Sequence, residues 1–275
     1  VKLDDHYVLM VFMLANSPNG AGASPTVADY AADIARMKAA GATGAVVDCN
    51  GWTAMYQERF EEFGEAAAAA NFPIMGCADY GSMAESQIGS FVKAEEVQPT
   101  SIRASDGTLC QYVWGGSLAI YTALERDLGT LAAEGLPVYV IANDESAYLA
   151  NPWIRGVGSY DMGASAATLV ARMARLASER RSGDLLMLGV SAGMNDPPRV
   201  FGGSWPYLHT LLSEAAALKP DVLLVSTAND WAEMTGILDD PPAKNAAGKP
   251  IINRSAVWAQ SVPDVAIYTK ALVSN

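Results

Sequence analysis

The sequence predicts an α/β fold, a single (β/α)8 TIM barrel that occupies residues 1–275 as one domain. Eight short apolar runs alternate with helical patterns along the chain, as repeated strand–helix units do. The runs lack a polar alternation, so each predicted strand is buried on both faces. The 275 residues also suit a barrel, which typically needs about 250.

Each predicted strand is one of these apolar runs, and each run ends at, or directly before, a polar or aromatic residue. In chain order the strands are Tyr7–Ala15, Gly44–Asp48, Pro73–Ala78, Leu109–Trp114, Pro137–Ala142, Gly156–Tyr160, Leu185–Val190 and Asp221–Thr227. An open doubly wound sheet usually has a glycine turn that binds phosphate after its first strand. Residues 16–20 read Asn-Ser-Pro-Asn-Gly instead, which favours the closed barrel.

The helices are predicted from apolar residues at helical spacing and from their boundary residues. In the first helix Tyr30, Ile34 and Met37 recur at that spacing, and Gly41 ends it. Ser24-Pro25-Thr26 is interpreted as its start, with the proline just inside the helix. Further helices are predicted from about Met55 to Ala70 and over Leu118–Gly135, Ser165–Ser182 and Tyr207–Leu218, and a long loop over Asp239–Pro250.

The overall charge argues against two classes of partner. The net charge is −12 and the isoelectric point about 4.5, whereas nucleic acid and anionic membranes are bound through clustered Lys and Arg. No run of 18 apolar residues predicts a membrane-spanning helix. The three cysteines, Cys49, Cys77 and Cys110, are too few and too scattered for a disulfide framework, and buried thiols are the preferred interpretation.

In a TIM barrel the active site lies at the carboxyl ends of the strands. Carboxylates, amides and aromatic rings dominate these positions, and cations are nearly absent. This inventory suits a neutral sugar, which is bound by hydrogen bonds to its hydroxyls and by stacking of its apolar face, although each single tryptophan could equally be a packing residue. The predicted substrate-binding residues are Asp48, Asn50, Trp52, Asp79, Tyr80, Trp114, Asp144, Tyr160, Asp161, Asn229 and Trp231.

The sequence lacks the residues that several other types of reaction require, and no metal or other cofactor is predicted. The only histidines, His6 and His209, lie before the first strand and inside a helix, away from the strand ends where metal ligands would converge. No lysine stands at a strand end for a Schiff base, and no nucleophile elbow of the GxSxG type is present. A lyase or isomerase would ordinarily require a metal ion or a positively charged side chain that acts as the electrophile, and neither is predicted. Acid–base cleavage by two carboxylates remains, as in glycoside hydrolysis.

The last predicted strand carries a recognisable motif. Residues 220–237 read PDVLLVSTANDWAEMTGI, which resembles the last barrel strand of glycoside hydrolase family 71, the α-1,3-glucanases. Asn229, Asp230, Trp231 and Glu233 match that motif, while Ala228 and Ala232 stand where the family tends to have Trp and Gly. Endo-α-mannosidases of family 99 have a similar strand, so an α-mannan is the alternative substrate.

The resemblance implies that Asp230 and Glu233 are the catalytic pair of an inverting, endo-acting enzyme on an α-linked polysaccharide. Glu233 is assigned as the general acid and Asp230 as the general base, with Asp79, Asp161 and Asp48 as other candidates for the base. A helix-capping pair is the structural alternative for the two residues. A barrel that binds carbohydrate without cleaving it is the alternative from another class. A polysaccharide substrate predicts a secreted, extracellular protein, although residues 1–30 show no secretory signal.

Overall fold

Eight parallel strands close into a barrel in this computed structural model, which describes residues 7–16, 24–115, 118–143, 145–160, 163–196, 199–229, 236–238 and 254–260. The barrel strands are β1 (Tyr7–Met13), β2 (Gly44–Asp48), β3 (Ile74–Asp79), β4 (Leu109–Trp114), β5 (Val138–Ala142), β6 (Gly156–Gly158), β7 (Leu185–Val190) and β10 (Val222–Val225). They pair in the order β1-β10-β7-β6-β5-β4-β3-β2, so the last barrel strand lies against the first. The predicted TIM barrel is therefore confirmed.

Helices follow the barrel strands as the alternating pattern predicts. They are α1 (Val27–Ala39), α2 (Ala54–Ala69), α3 (Glu85–Glu96), α4 (Leu118–Ala133), α5 (Glu145–Ala150), α6 (Ala166–Glu179), α7 (Trp205–Ala217) and α8 (Ser255–Ala259). The sequence pattern did not predict α3, α5, α8 or the antiparallel hairpin of β8 (Gly193–Asp196) and β9 (Arg199–Gly202). The predicted loop Asp239–Pro250 lies outside the described residues.

The start of α1 corrects one prediction. Thr26 is the N-cap residue, so Pro25 precedes the helix and does not stand inside it. The Thr26 hydroxyl accepts a hydrogen bond from the Asp29 N–H at 3.4 Å, and the Asp29 carboxylate accepts one from the Thr26 N–H at 2.8 Å. This reciprocal capping box satisfies two backbone donors that would otherwise lack partners, which is why the helix begins two residues later than predicted.

Side chains of the barrel strands form two apolar layers because successive residues of a strand point to opposite faces. An inner layer fills the barrel, with Leu9, Val46, Met75, Tyr112 and Met187 among its members. An outer layer packs between the strands and the helices, with residues such as Val8, Val47, Val113 and Leu188. Both layers are buried, as the apolar runs of the sequence predict. The same alternation decides which residues at the strand ends point into the open end of the barrel, here called the mouth.

The three cysteines are free thiols and all are buried, which confirms the preferred interpretation of the sequence. Within the described ranges, no helix has the length and apolar character needed to cross a membrane. His209 lies in α7, where its ring packs against Trp205 with the ring centroids 5.1 Å apart.

Candidate active site

Five side chains at the carboxyl ends of neighbouring strands share the inward face. Each stands two residues after an inward position of its own strand, such as Val46, Cys77, Tyr112 and Ile141 of the inner layer. Trp114 and Tyr160 also pack against that layer while remaining partly exposed. The five residues are Asp48 of β2, Asp79 of β3, Trp114 of β4, Asn143 after β5 and Tyr160 after β6.

The two inward carboxylates are nearly buried and each begins a tight turn. Asp48 is 5% exposed and its Oδ1 accepts a hydrogen bond from the Asn50 N–H at 2.8 Å. Asp79 is 4% exposed and its Oδ1 accepts one from the Gly81 N–H at 2.7 Å. The Ser82 hydroxyl donates to Asn50 Oδ1 at 2.7 Å, which links the two turns. Asn50 therefore holds the loops together, and its left-handed φ of 48° suits an asparagine.

Asp79 keeps one oxygen available for a ligand. Its Oδ2 has no hydrogen-bond partner among the residues that the structure describes. Cys77 lies below it in the inner layer, where burial, followed by the charges of Asp48 and Asp79, raises the pKa of the thiol well above its ordinary value. The thiol is consequently protonated at neutral pH, so the chemistry available at this position belongs to the carboxylates.

An aromatic pair stands beside the carboxylates. The rings of Trp114 and Tyr160 meet edge to face, with centroids 5.8 Å apart and an interplanar angle of 70°. Gly81 leaves room for this arrangement, because a Cβ there would lie 3.3 Å from Cζ3 of Trp114 and 3.0 Å from Oδ1 of Asp79. The mouth thus offers a partly exposed apolar surface next to a hydrogen-bond acceptor, a combination that binds the face and the hydroxyls of a sugar ring.

Two other predicted substrate-binding residues lie in the outer layer. Trp52 is 4% exposed, its ring centroid lies 5.0 Å from that of Phe91, and its Nε1 donates to Ser90 at 3.1 Å. Tyr80 packs against the same layer, and burial raises the pKa of its phenol above the ordinary value. Both side chains are engaged in packing between strands and helices, which favours the packing alternative over contact with a substrate.

Asn229 connects the end of the last strand to the end of the first. Its Oδ1 accepts a hydrogen bond from the Met13 N–H at 2.8 Å, and its Nδ2 donates to the carbonyls of Met13 at 3.0 Å and Asn16 at 3.1 Å. The side chain is 3% exposed. Since both amide hydrogens are used within the protein, Asn229 ties its own segment to the end of β1 and has no hydrogen left to donate to a substrate.

The remaining predicted site residues, Asp144, Asp161, Asp230, Trp231 and Glu233, lie outside the described residues. The separation of the two proposed catalytic carboxylates therefore stays a prediction. Asn143 was not among the predicted substrate-binding residues, although it stands two residues after the inward Ile141 and follows its strand directly. Counting the alternation forward from the middle of the strand would have identified it. The described residues include no group of three or more His, Cys, Asp or Glu placed to hold a metal ion.

Comparison with known proteins finds similarity in structure alone. No family model matches the chain, and no curated protein matches it in sequence. A family 99 endo-α-mannosidase from Bacteroides thetaiotaomicron superposes with a TM-score of 0.76 at 11% identity, covering 98% of this chain and 99% of that one. A glycoside hydrolase-like protein gives 0.66 at 12%, covering 95% and 94%.

The same barrel fold also occurs in proteins that are named for other activities. Dihydrodipicolinate synthase from Agrobacterium tumefaciens superposes with a TM-score of 0.51 at 14% identity, covering 95% of this chain and 80% of that one. Identities this low show a shared fold, and one fold supports many chemistries. The chain therefore shares its barrel fold with the family 99 endo-α-mannosidase. The predicted resemblance to family 71 is not confirmed.

Proposed function

We propose that the chain is a glycoside hydrolase, one catalytic domain over residues 1–275, that cleaves an α-linked polysaccharide or oligosaccharide. Glu233 acts as the general acid and Asp230 as the general base. The observation that carries the proposal is the fixed position of Asn229 at the carboxyl end of β10. Asp230 follows it directly, and consecutive Cα atoms are about 3.8 Å apart, so the motif starts at the end of the barrel where this fold has its active sites.

The reaction requires one carboxylic acid to protonate the glycosidic oxygen and one carboxylate to activate water on the opposite face of the sugar. An inverting enzyme holds the two carboxyl groups about 6.5–9.5 Å apart so that the water fits between substrate and base. Asp48 and Asp79 are the described alternatives for the base, since both point to the mouth. Asp79 has the better claim of the two, because its Oδ2 has no partner among the described residues.

The described part of the mouth suits a neutral glycan. The five inward side chains described above comprise two carboxylates, one carboxamide and two aromatic rings, and none of them is a cation. Anionic sugars would be repelled by Asp48 and Asp79, whereas hydroxyls can donate to carboxylates and the apolar face of a sugar can lie on Trp114. This composition supports a polysaccharide or oligosaccharide substrate and gives no support for nucleic acid.

Two α-linked glycans are candidates. The resemblance of residues 220–237 to family 71 favours an α-1,3-glucan. The similarity in fold to an endo-α-mannosidase favours an α-mannan as the second candidate. A barrel that binds either glycan without cleaving it would share the fold and the aromatic surface but would not depend on Asp230 or Glu233.

Release of reducing sugar from α-1,3-glucan, α-mannan and arabinan tests the proposal. Glu233→Gln should lower turnover of the cleaved glycan by at least about 10²-fold, because loss of a general acid typically costs 10²–10⁴. Asp230→Asn should behave similarly, and azide should rescue it with a product of inverted configuration, detected by NMR. Glu214→Gln, an exposed residue of α7, is the matched control and should keep full turnover. Binding of a glycan without any product would identify a non-catalytic barrel and refute the proposal.

A further inference from the structure

The carboxamide of Asn143 has its orientation determined by two donors. Its Oδ1 accepts a hydrogen bond from the Tyr160 N–H at 2.7 Å and another from the Tyr112 hydroxyl at 2.9 Å. A backbone N–H can only donate, so the side-chain atom that it meets must be the carbonyl oxygen. The NH2 group therefore occupies the other position of the amide plane, and rotation of the amide by 180° would leave the Tyr160 N–H without an acceptor.

The NH2 group has no acceptor within the protein among the described residues. Asn143 is partly exposed, and it follows β5 on the inward face of the barrel. Tyr112, which lies below it in the inner layer, is fully buried and holds the oxygen of the amide from that side. The arrangement thus supplies a hydrogen-bond donor that is already oriented before any ligand arrives, which lowers the entropic cost of binding.

A matching acceptor stands two strands away. Asp79 ends β3, Trp114 ends β4, and Asn143 follows β5, so the tryptophan lies between the two polar side chains. Neighbouring strands are about 4.8 Å apart, which separates the backbones of Asp79 and Asn143 by about 10 Å. Both side chains extend inward from these positions, so the space between them above Trp114 suits a single sugar ring.

We propose that Asn143 is a substrate-binding residue whose Nδ2 donates to a hydroxyl of the sugar ring that lies on Trp114, while Asp79 Oδ2 accepts from another hydroxyl of the same ring. This inference rests on the proposed glycosidase function and deepens it by defining one subsite. The subsite takes a neutral ring with free hydroxyls on opposite edges. A ring that is sulfated or carries a carboxylate at the Asp79 edge is excluded by charge repulsion.

Asn143→Asp is the informative substitution, because a carboxylate can still accept from Tyr160 and Tyr112 but can no longer donate. Calorimetric titration with an α-mannan oligosaccharide and an α-1,3-glucan oligosaccharide is done in the Glu233→Gln background, so that the glycan is not consumed. The affinity for the glycan that binds should fall about tenfold, close to the upper end of the loss expected for one hydrogen bond. Asn71→Asp makes the same chemical change at an exposed residue after α2 and should leave the affinity unchanged.

The outcomes separate this inference from the function on which it rests. Unchanged affinity in Asn143→Asp would refute the role of Asn143 and leave the glycosidase proposal standing. A tenfold loss of affinity in the Glu233→Gln background, together with a wild-type protein that releases no reducing sugar, would support the subsite and refute the glycosidase. Binding of neither glycan by the background protein would refute both. If Asn143→Asp does not fold, Tyr112→Phe removes one of the two bonds that orient the amide, and unchanged affinity in that variant counts against the proposal.

Discussion

Replacing Glu95 with glutamine should remove a large pH dependence from the stability of the barrel. Glu95 lies on α3, is fully buried, and faces the middle of β3 and β4. Its Oε1 accepts a hydrogen bond from the Gly76 N–H at 2.6 Å, and its Oε2 contacts Nε2 of Gln111. Gly76 and Gln111 each stand three residues before a mouth residue, so this carboxyl group joins α3 to the strands that carry Asp79 and Trp114.

Burial raises the pKa of Glu95 from 4.5 to about 8, and the hydrogen bonds from Gly76 and Gln111 offset only part of that effect. The folded protein therefore holds a proton that the unfolded chain releases above about pH 4.5. As a result, the free energy of unfolding falls as pH rises from 4.5 to 8 and is not lowered further by this group above that range. The difference of 8 − 4.5 pH units, at 1.36 kcal/mol each, corresponds to about 5 kcal/mol.

Urea unfolding of the wild type and Glu95→Gln between pH 4.5 and 9, followed by tryptophan fluorescence and far-UV circular dichroism, measures this difference. The introduced amide is neutral at every pH and can accept from Gly76 while donating to Oε1 of a rotated Gln111 side chain. We expect the two proteins to be similar near pH 4.5 and the variant to be more stable by up to about 5 kcal/mol at pH 9.

The neighbouring residue supplies a matched control. Glu96→Gln removes a partly exposed carboxylate that pairs with Arg103 at 3.0 Å, so it should cost at most about 1 kcal/mol and retain the pH dependence of the wild type. Parallel stability curves for the wild type and Glu95→Gln over the whole pH range would show that Glu95 is ionised in the folded protein at neutral pH. That result would refute the reasoning from burial.

Two further substitutions test the packing around the site. Gly76→Ala should destabilise the protein by about 1–3 kcal/mol in urea unfolding, because the added methyl would lie 2.6 Å from Cζ of Phe91 and against the Glu95 carboxylate. A loss below about 0.5 kcal/mol would mean that α3 can shift to make room. Asn229→Ala should lower the free energy of unfolding by about 1–3 kcal/mol, because it leaves the Met13 N–H without its acceptor. It should also lower any glycosidase activity, because the residue before Asp230 is then no longer tied to β1. Unchanged stability and activity would contradict the positioning role.

The barrel strands were predictable because their signal is local. Runs such as Leu109–Trp114 and Leu185–Val190 are continuous apolar segments, and the structure reproduces their bounds. The helix α3 was not predicted because Gly89 interrupts its pattern of helix-forming residues and because one of its four buried residues is the charged Glu95. Its stability depends on contacts of Glu95 with β3 and β4, which a helical pattern cannot reveal. The hairpin β8–β9 is likewise formed by pairing between two short segments.

The residues of the candidate site also differ in how far the sequence could locate them. Asp79 and Trp114 end their strands at inward positions, so the strand prediction located them together. Tyr80 directly follows β3 and Trp52 lies four residues after β2, yet both pack in the outer layer. Asn229 was predicted to bind substrate, but its amide is engaged by the backbone of β1. For Asn229 the difference lies in contacts between segments more than 200 positions apart, such as the pairing of β1 with β10.

The sequence by itself determined the class of fold, the end of the barrel where polar and aromatic residues gather, and the net charge of −12 that argues against partners needing clustered positive charge. These properties follow from composition and from periodicity along the chain, which are local or additive. Only the tertiary structure decided which strand-end side chains face the mouth and which amide is free to donate. Those properties depend on the alternation of each strand about the barrel and on the donors that closure brings to Asn143 and Asn229, so they exist only once the barrel has closed.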